Sequence, residues 1–393
     1  MEVNINRKLR HLYSLSLYIL ISVAIGTTAS AEAYKWPDNI PPEAKALMEP
    51  MPLSPRGQAV VGHPNGPVAS SPNEIAFSAD ELQKLKDGNF TAAISMNVMD
   101  AAWPQLQVAG ITAGLKQYGI DLVAVTEAKG QPATQLNDLE QLAARKPDVI
   151  LSIPIDPVSS SPVFKRISSN GIKIVFIDNV PIEMAPGTDY VSVIASDNEA
   201  LGYFSAKAMA EKMGGEGKVA ILTTVYNSAY VIVAREAGAR KAFAEYPGIV
   251  EVNPSPRFPG TPAGAFAATT AVLTAHSDLA GIFAVWDTPA IQAANAAKTL
   301  GRELLVATVD LGEDSAVAVA NGEIYAIGAQ RPYLQGLAEA KAAAAALLGK
   351  EVPPYISVAA LPVMKLNLLS ALQDVTQKAP PSSVVKSCNN ECF

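Results

Sequence analysis

Cysteine is nearly missing from this chain: there are two in 393 residues, Cys388 and Cys392, both at the extreme C-terminus. So low a count excludes a disulfide scaffold and leaves too few thiolates for a structural zinc site, which takes four ligands. A disulfide between the two is chemically allowed in an oxidising compartment and would staple only a tail. Histidine is equally scarce, with His11, His63 and His276 scattered singly, so neither a metal cluster nor a Ser/His/Asp set is expected. No G-x-S-x-G or H-E-x-x-H motif occurs, and no metal, no cofactor and no enzymatic activity are expected. Basic residues are outnumbered, 30 Lys and Arg against 37 Asp and Glu for a net charge of −7. That balance argues against nucleic acid or an anionic membrane as the partner and favours a small molecule.

What the chain does have begins with a leader. Arg7, Lys8 and Arg10 form a basic segment, Leu15 to Gly26 an apolar one, and Ala29-Ser30-Ala31 or Ala31-Glu32-Ala33 a small-residue cleavage site. Residues 1–31 thus read as a secretory signal peptide, and no later run of about eighteen apolar residues offers a membrane span. Residues 32–90 form a proline-rich extension (Pro37, Pro41, Pro42, Pro50, Pro52, Pro55, Pro64, Pro67, Pro72). It ends on a short helix announced by Ser78 and Glu81 as a capping box and by Phe77 and Leu82 as a hydrophobic staple.

From Thr91 the chain alternates short apolar runs with amphipathic stretches. The runs include Ala92–Met96, Leu122–Val125, Val149–Ile153, Ile174–Ile177, Val219–Leu222, Ile282–Val285 and Leu304–Val309. Helix-spaced segments such as Gln105–Tyr118, Glu199–Met213 and Tyr333–Leu348 lie between them. This is repeated βα, hence parallel sheet covered on both faces, and its extent calls for two doubly wound lobes or one closed barrel. Gly214-Gly215-Glu216-Gly217-Lys218 resembles a phosphate loop but precedes a strand, and reads as a helix-to-strand turn.

Several apolar runs finish on a polar side chain: Asn97, Asp156, Asp178 with Asn179, Asp287 behind Trp286, and Asp310. Ligands of open parallel sheets bind outside the carboxyl ends of the strands, so such groups would line one crevice. The alternative for each aspartate is a helix cap, and Asp156, followed by Pro157 and serines, fits that role best. Trp103 and Trp286 stand at or just past strand ends as well. Indoles beside carboxylates suit a ligand with apolar C–H faces and hydroxyl edges.

Ordered segments then carry a family likeness: Ser95-Met96-Asn97 through Trp103, Gly110-Ile111-Thr112-Ala113-Gly114-Leu115, Lys146-Pro147-Asp148-Val149-Ile150, Ile177-Asp178-Asn179 and Ile194-Ala195-Ser196-Asp197-Asn198. Ala234-Arg235-Glu236, Gly281-Ile282-Phe283-Ala284, Val309-Asp310 and Gln330-Arg331-Pro332 continue it. Over about residues 91 to 374 the chain resembles the ribose-type periplasmic sugar-binding proteins of ABC transporters, which have the type I periplasmic binding protein fold. The resemblance implies an α/β molecule of two Rossmann-like lobes with parallel sheets joined by a three-strand hinge, crossing near Ser196, Gln330 and Ala359. The first lobe would take residues 91–195 and 331–359, the second 196–330 and 360–374, leaving 375–393 as a C-terminal tail.

By the same resemblance Trp103 matches the family's stacking aromatic, Asp178 its ring-hydroxyl acceptor, Asp310 the second-lobe acceptor and Gln330 the hinge glutamine. The chain departs at Asn179 and Ala237, where the family carries arginines, although Arg235 stands two residues before the latter. Trp286 replaces an asparagine, and Phe258 is a candidate second-lobe aromatic. The expected ligand set is Trp103, Asp178, Asn179, Arg235, Trp286, Asp310 and Gln330. With two guanidiniums lost and an indole gained, ribose itself is not the expected ligand. A small sugar or polyol is, with a cationic amino sugar or amine as the alternative. The implied protein is periplasmic and monomeric, delivers its ligand to an ABC permease, and has no nucleic-acid partner. A sensor feeding a chemoreceptor or sensor kinase is a further option, and an exported carbohydrate-active enzyme a more distant one.

Overall fold

The computed structural model describes residues 42–49, 69–225 and 230–393. Residues 1–31, where a signal peptide is expected, and much of the proline-rich extension lie outside the described residues. Within the extension, helix α1 (Pro42–Ala46) precedes α2 (Ala79–Asp87). The capping box opens α2 as expected: Glu81 N donates to Ser78 Oγ (3.2 Å) and Ser78 N to Glu81 Oε2 (2.8 Å).

Alternation then builds a first sheet. In chain order come β1 (Thr91–Met96), α3 (Ala102–Tyr118), β2 (Asp121–Glu127), α4 (Pro132–Ala144), β3 (Val149–Ser152), α5 (Ser161–Ser169), β4 (Lys173–Ile177) and β5 (Ser192–Ser196). A second sheet follows through α6 (Asn198–Lys212), β6 (Glu216–Thr224), α7 (Tyr230–Ala244), β7 (Gly248–Glu251), β8 (Arg257–Phe258), α8 (Pro262–Ala275) and β9 (Leu279–Ala284). It continues through α9 (Asp287–Thr299), β10 (Leu305–Val309), α10 (Glu313–Ala320) and β11 (Ala326–Ala329). The chain ends with α11 (Pro332–Leu347), β12 (Tyr355–Val358), β13 (Leu361–Met364), α12 (Leu368–Thr376) and α13 (Ser382–Cys388).

The first sheet runs β12-β5-β4-β3-β1-β2, all parallel. The second runs β13-β11-β10-β9-β6-β7, with β8 beside β6 and only β13 antiparallel. Both are doubly wound, and side-chain alternation explains how. Ile94, Val175 and Ile177 join the core on one face of the first sheet, while Ala93, Ile174 and Phe176 join the core on the other. Leu222 and Ile282 against Ile221 and Phe283 do the same in the second. Strands covered on both faces read as unbroken apolar runs, whereas the edge strand β2 alternates exposed and half-buried residues.

The chain passes between the sheets three times. Strand β5 leads into α6, which packs on β10 and β11; β11 leads into α11, which packs on α3; and β12 runs through Ala359 and Ala360 into β13. Two lobes of α/β construction result, in place of the barrel that periodicity alone left open.

The C-terminal tail and the described parts of the extension are more tightly held than the sequence suggested. Cys388 and Cys392 are bonded to each other and buried in the second lobe's core with Val384. Phe393 N donates to Leu366 O (2.9 Å), and Ser370 N to Phe393 O (3.0 Å). The bridge therefore closes a packed C-terminal layer instead of stapling a loose tail: the apolar face of α13 has α10 to pack on. In the extension, Met48 packs on the second lobe and Asn367 Nδ2 donates to Leu47 O (3.2 Å). Ser70 instead pairs beside Ile356, accepting from Ser357 N and donating to Tyr355 O (both 2.9 Å), so it borders the first sheet at β12. The extension touches both lobes.

Candidate ligand-binding site

Strands β4 and β10 end at equivalent edges of the two sheets, and each is followed by an aspartate with left-handed backbone, Asp178 (φ 56°) and Asp310 (φ 74°). Aspartate tolerates that conformation better than most residues, so both strands can turn sharply at their ends. Asp178 N donates to Ile194 O (2.9 Å) and Asp310 N to Gly328 O (3.0 Å), tying each turn to the neighbouring strand.

A hydrogen-bonded chain links these carboxylates through the crossings. Gln335 Nε2 donates to Asp178 Oδ1 (3.0 Å), while Gln335 Oε1 accepts from Ser196 Oγ (3.1 Å). Asn198 Nδ2 donates to Ser196 O (3.1 Å), and its Oδ1 accepts from Arg235 Nε (2.9 Å). Arg235 Nη1 donates to Val285 O (2.9 Å) and Asp310 Oδ2 (3.3 Å), and Gln330 Nε2 to Asp310 Oδ1 (2.6 Å). Two crossings, at Ser196 and Gln330, are thus members of one network reaching both lobes. Bonded to protein acceptors through Nε and Nη1, the buried Arg235 acts on Asp310 as a fixed positioning group.

Burial pushes the Asp178 carboxyl up to about 6, the Asp310 charge adding to the rise, while the Gln335 hydrogen bond and the Arg235 charge oppose it. Behind it, Glu339 is held well above the usual carboxylate range by burial and by the charge of Asp178. Asp287, the first residue of α9, is pushed up to about 6 by burial and by Asp310. Its partners are two hydroxyls, Ser315 Oγ at 3.3 Å and Thr288 Oγ1 at 3.4 Å, and the Thr288 backbone N–H.

A cavity of about 210 Å³ opens between the lobes, bringing together Trp103, Trp286, Asp287, Asp310 and Gln330. Trp103 stands in the first turn of α3, and Trp286 caps α9 while leaning on the fully buried Phe258, ring centroids 5.2 Å apart. Phe258 therefore supports Trp286 from behind and does not line this cavity. Two polar atoms here are buried without a partner among the described residues, Trp103 Nε1 and Gln330 Oε1.

Of the expected set, Trp103, Trp286, Asp310 and Gln330 line the cavity. Asp178 and Arg235 reach it through the network, and the half-buried Asn179 stands beside Asp178 without lining it. Asp287 was legible as a strand-end acid but not as part of the set; its place directly after Trp286 was the available signal. Gln335 and Asn198 were not singled out, because a glutamine one turn into a helix carries no local mark. Asp156, by contrast, does act as a turn cap, accepting from Val158 N (3.0 Å) and Ser159 N (3.3 Å). No cluster of metal-ligating side chains occurs among the described residues, and none of their helices is long and apolar enough to cross a membrane.

Residues 92–351 match the model of the periplasmic binding protein domain. The chain belongs to the periplasmic binding protein family. This binding protein is 27% identical over 269 residues to the ribose import binding protein of Bacillus subtilis, covering 68% of the present chain and 85% of that relative. Among solved structures it is similar to an ABC transporter periplasmic solute-binding protein from Actinobacillus succinogenes with bound D-allose. The two share 28% identity at a TM-score of 0.65, covering 71% of this chain and 99% of the other. A solute-binding protein from Burkholderia graminis in complex with D-arabinose is 26% identical at a TM-score of 0.61, covering 70% and 96%. The expected family and fold are therefore borne out. Family members serve ABC importers by binding, so the protein is a binding protein and not an enzyme, with its place of work outside the cytoplasmic membrane.

Proposed function

We propose that this binding protein encloses a small sugar or polyol between its lobes and delivers it to an ABC permease. One observation carries the reading: two indoles, two strand-end carboxylates and a hinge glutamine from both lobes converge on a single cavity. The rings cover the C–H faces of the solute, and the carboxylates and amide bond its hydroxyls. The relatives named above bind ribose, D-allose and D-arabinose, which supports the class of ligand. Ribose itself is disfavoured, because Asn179 and Ala237 supply no guanidinium fork.

On this reading the lobes divide at Ser196, Gln330 and Ala359, and the solute bridges their strand ends. Closure then presents the permease with a geometry that the open form lacks. Asn97, Asp178, Asn179 and Nη2 of Arg235 extend the site beyond the cavity. The protein works as a monomer in the periplasm after cleavage near Ala31.

Titration calorimetry of the mature protein against pentoses, hexoses and polyols tests the assignment. One or more should bind with micromolar or tighter affinity and be recovered unchanged, and Trp103→Ala should weaken that affinity at least tenfold. Failure of every sugar and polyol to bind would overturn it.

A further inference from the structure

Counted by charge, the cleft is unbalanced. Asp178, Asp287 and Asp310 face a single guanidinium, Arg235. Arg235 is the one cation among the main influences on Asp178, and no cation stands among those on Asp287. Residues 226–229, between β6 and α7 in sequence, carry no charge either. A neutral sugar leaves this imbalance in place, since a hydroxyl donates one hydrogen bond and no charge, and a buried carboxylate without a countercharge is costly.

The unpartnered groups point the same way. Gln330 is 4% exposed, and donation from its Nε2 to Asp310 fixes the amide orientation, leaving Oε1 as an acceptor without a donor. Asp287 accepts from two hydroxyls and from the Thr288 backbone N–H, none of which carries a charge. Acceptors therefore outnumber donors on the cavity wall, Trp103 Nε1 being the one unpartnered buried side-chain donor among the described residues that line it. An ammonium supplies three donors and a positive charge, and the faces of Trp103 and Trp286 are suited to the same group.

We propose that the solute carries a basic nitrogen, as in an amino sugar or aminated polyol, and that Asp287, Asp310 and Gln330 Oε1 hold its ammonium between Trp103 and Trp286. This rests on the cleft being the solute site. Asp287 is then the residue that separates aminated solutes from their neutral parents.

The test is calorimetry of the mature protein with matched pairs: glucosamine and glucose, glucamine and sorbitol, an aminodeoxyinositol and inositol, together with propylamine. In at least one pair the amine should bind tenfold or more tighter than its parent. Asp287→Asn should reduce that preference, read as the ratio of amine to parent affinity in the same variant, below threefold. The same variant should melt no lower than wild type without ligand, since it removes an uncompensated charge; if it does not fold, Trp286→Leu takes its place and should also reduce the preference. Parents binding as tightly as the amines would overturn the inference while the sugar and polyol assignment stands. Binding of propylamine with no sugar or polyol bound would keep the cation site and overturn that assignment instead. No amine binding at all, or a preference unchanged in Asp287→Asn, would overturn the inference.

Discussion

Asp178 holds its position by a conflict between burial and hydrogen bonding that can be read as a pH dependence. Its carboxyl has an ordinary value of 3.8 and rises to about 6 in the folded protein, chiefly through burial. A raised value means that the folded state binds the proton more tightly, so the residue's contribution is fully present below about 3.8. It is lost as pH rises through about 6. Asp178→Asn removes this loss. Relative to wild type the variant should gain stability between pH 4 and pH 7, by roughly 2 kcal/mol, read from denaturant melts of the ligand-free protein. It should also lose solute affinity. A stability difference that does not move with pH would show that Asp178 is ionised at no cost. The identity of Asp178 was legible because it closes an apolar run, yet Gln335 and Glu339 behind it were not. They sit inside the helix-spaced segment Tyr333–Leu348, where a polar residue at a buried position looks the same as one at the surface until the packing partner is known.

Between elements, the contact that aligns the site is made by glycines. A Cβ on Gly110 of α3 would stand 2.1 Å from Tyr333 O, and one on Gly336 of α11 2.4 Å from Gln107 O. In the second lobe Gly202 of α6 would meet Arg235 O at 2.0 Å, and Gly238 of α7 Glu199 O at the same distance. Each lobe thus has one helix pair pressed backbone to backbone beside the cleft. Gly110→Ala and Gly202→Ala should each destabilise the protein by about 2 kcal/mol or more in chemical denaturation, because helix backbones cannot yield to a methyl group. Gly202→Ala should in addition weaken solute binding, since it displaces the segment of α7 that holds Arg235 against Asp310. Unaltered melts would mean that the helices separate freely. The long buried strands were readable as apolar runs. The two-residue β8 was not, since so short a stretch has no period and takes its strand geometry from β6, with which it pairs.

For the whole molecule, the last nineteen or so residues behave as structure of the second lobe. Cys388 and Cys392 are 1% and 5% exposed in its core. Replacing both with serine should lower stability by about 2 kcal/mol on loop closure alone, with a further loss from the buried hydroxyls. Solute affinity at 25 °C should stay within a factor of three, because the bridge lies away from the cleft residues; a large affinity loss would show that the C-terminal layer bears on the site. The spacing of the cysteines told that a bridge was possible, but not that it was buried, which depends on α13 lying against α10.

The three passages between sheets also set a timetable. Residues 91–196 contain five of the six strands of the first sheet, but α11, which covers α3, and β12, which completes the sheet beside β5, arrive only at 332–358. As the chain emerges from the ribosome, its N-terminal half therefore cannot lock into a finished lobe until nearly the entire polypeptide has been made. Contacts so distant in sequence form slowly. Family members work outside the cytoplasmic membrane, and such a delay suits a chain that crosses it before folding: on the proposed function, the same crossings that would let the lobes close over a solute first keep the nascent chain loose.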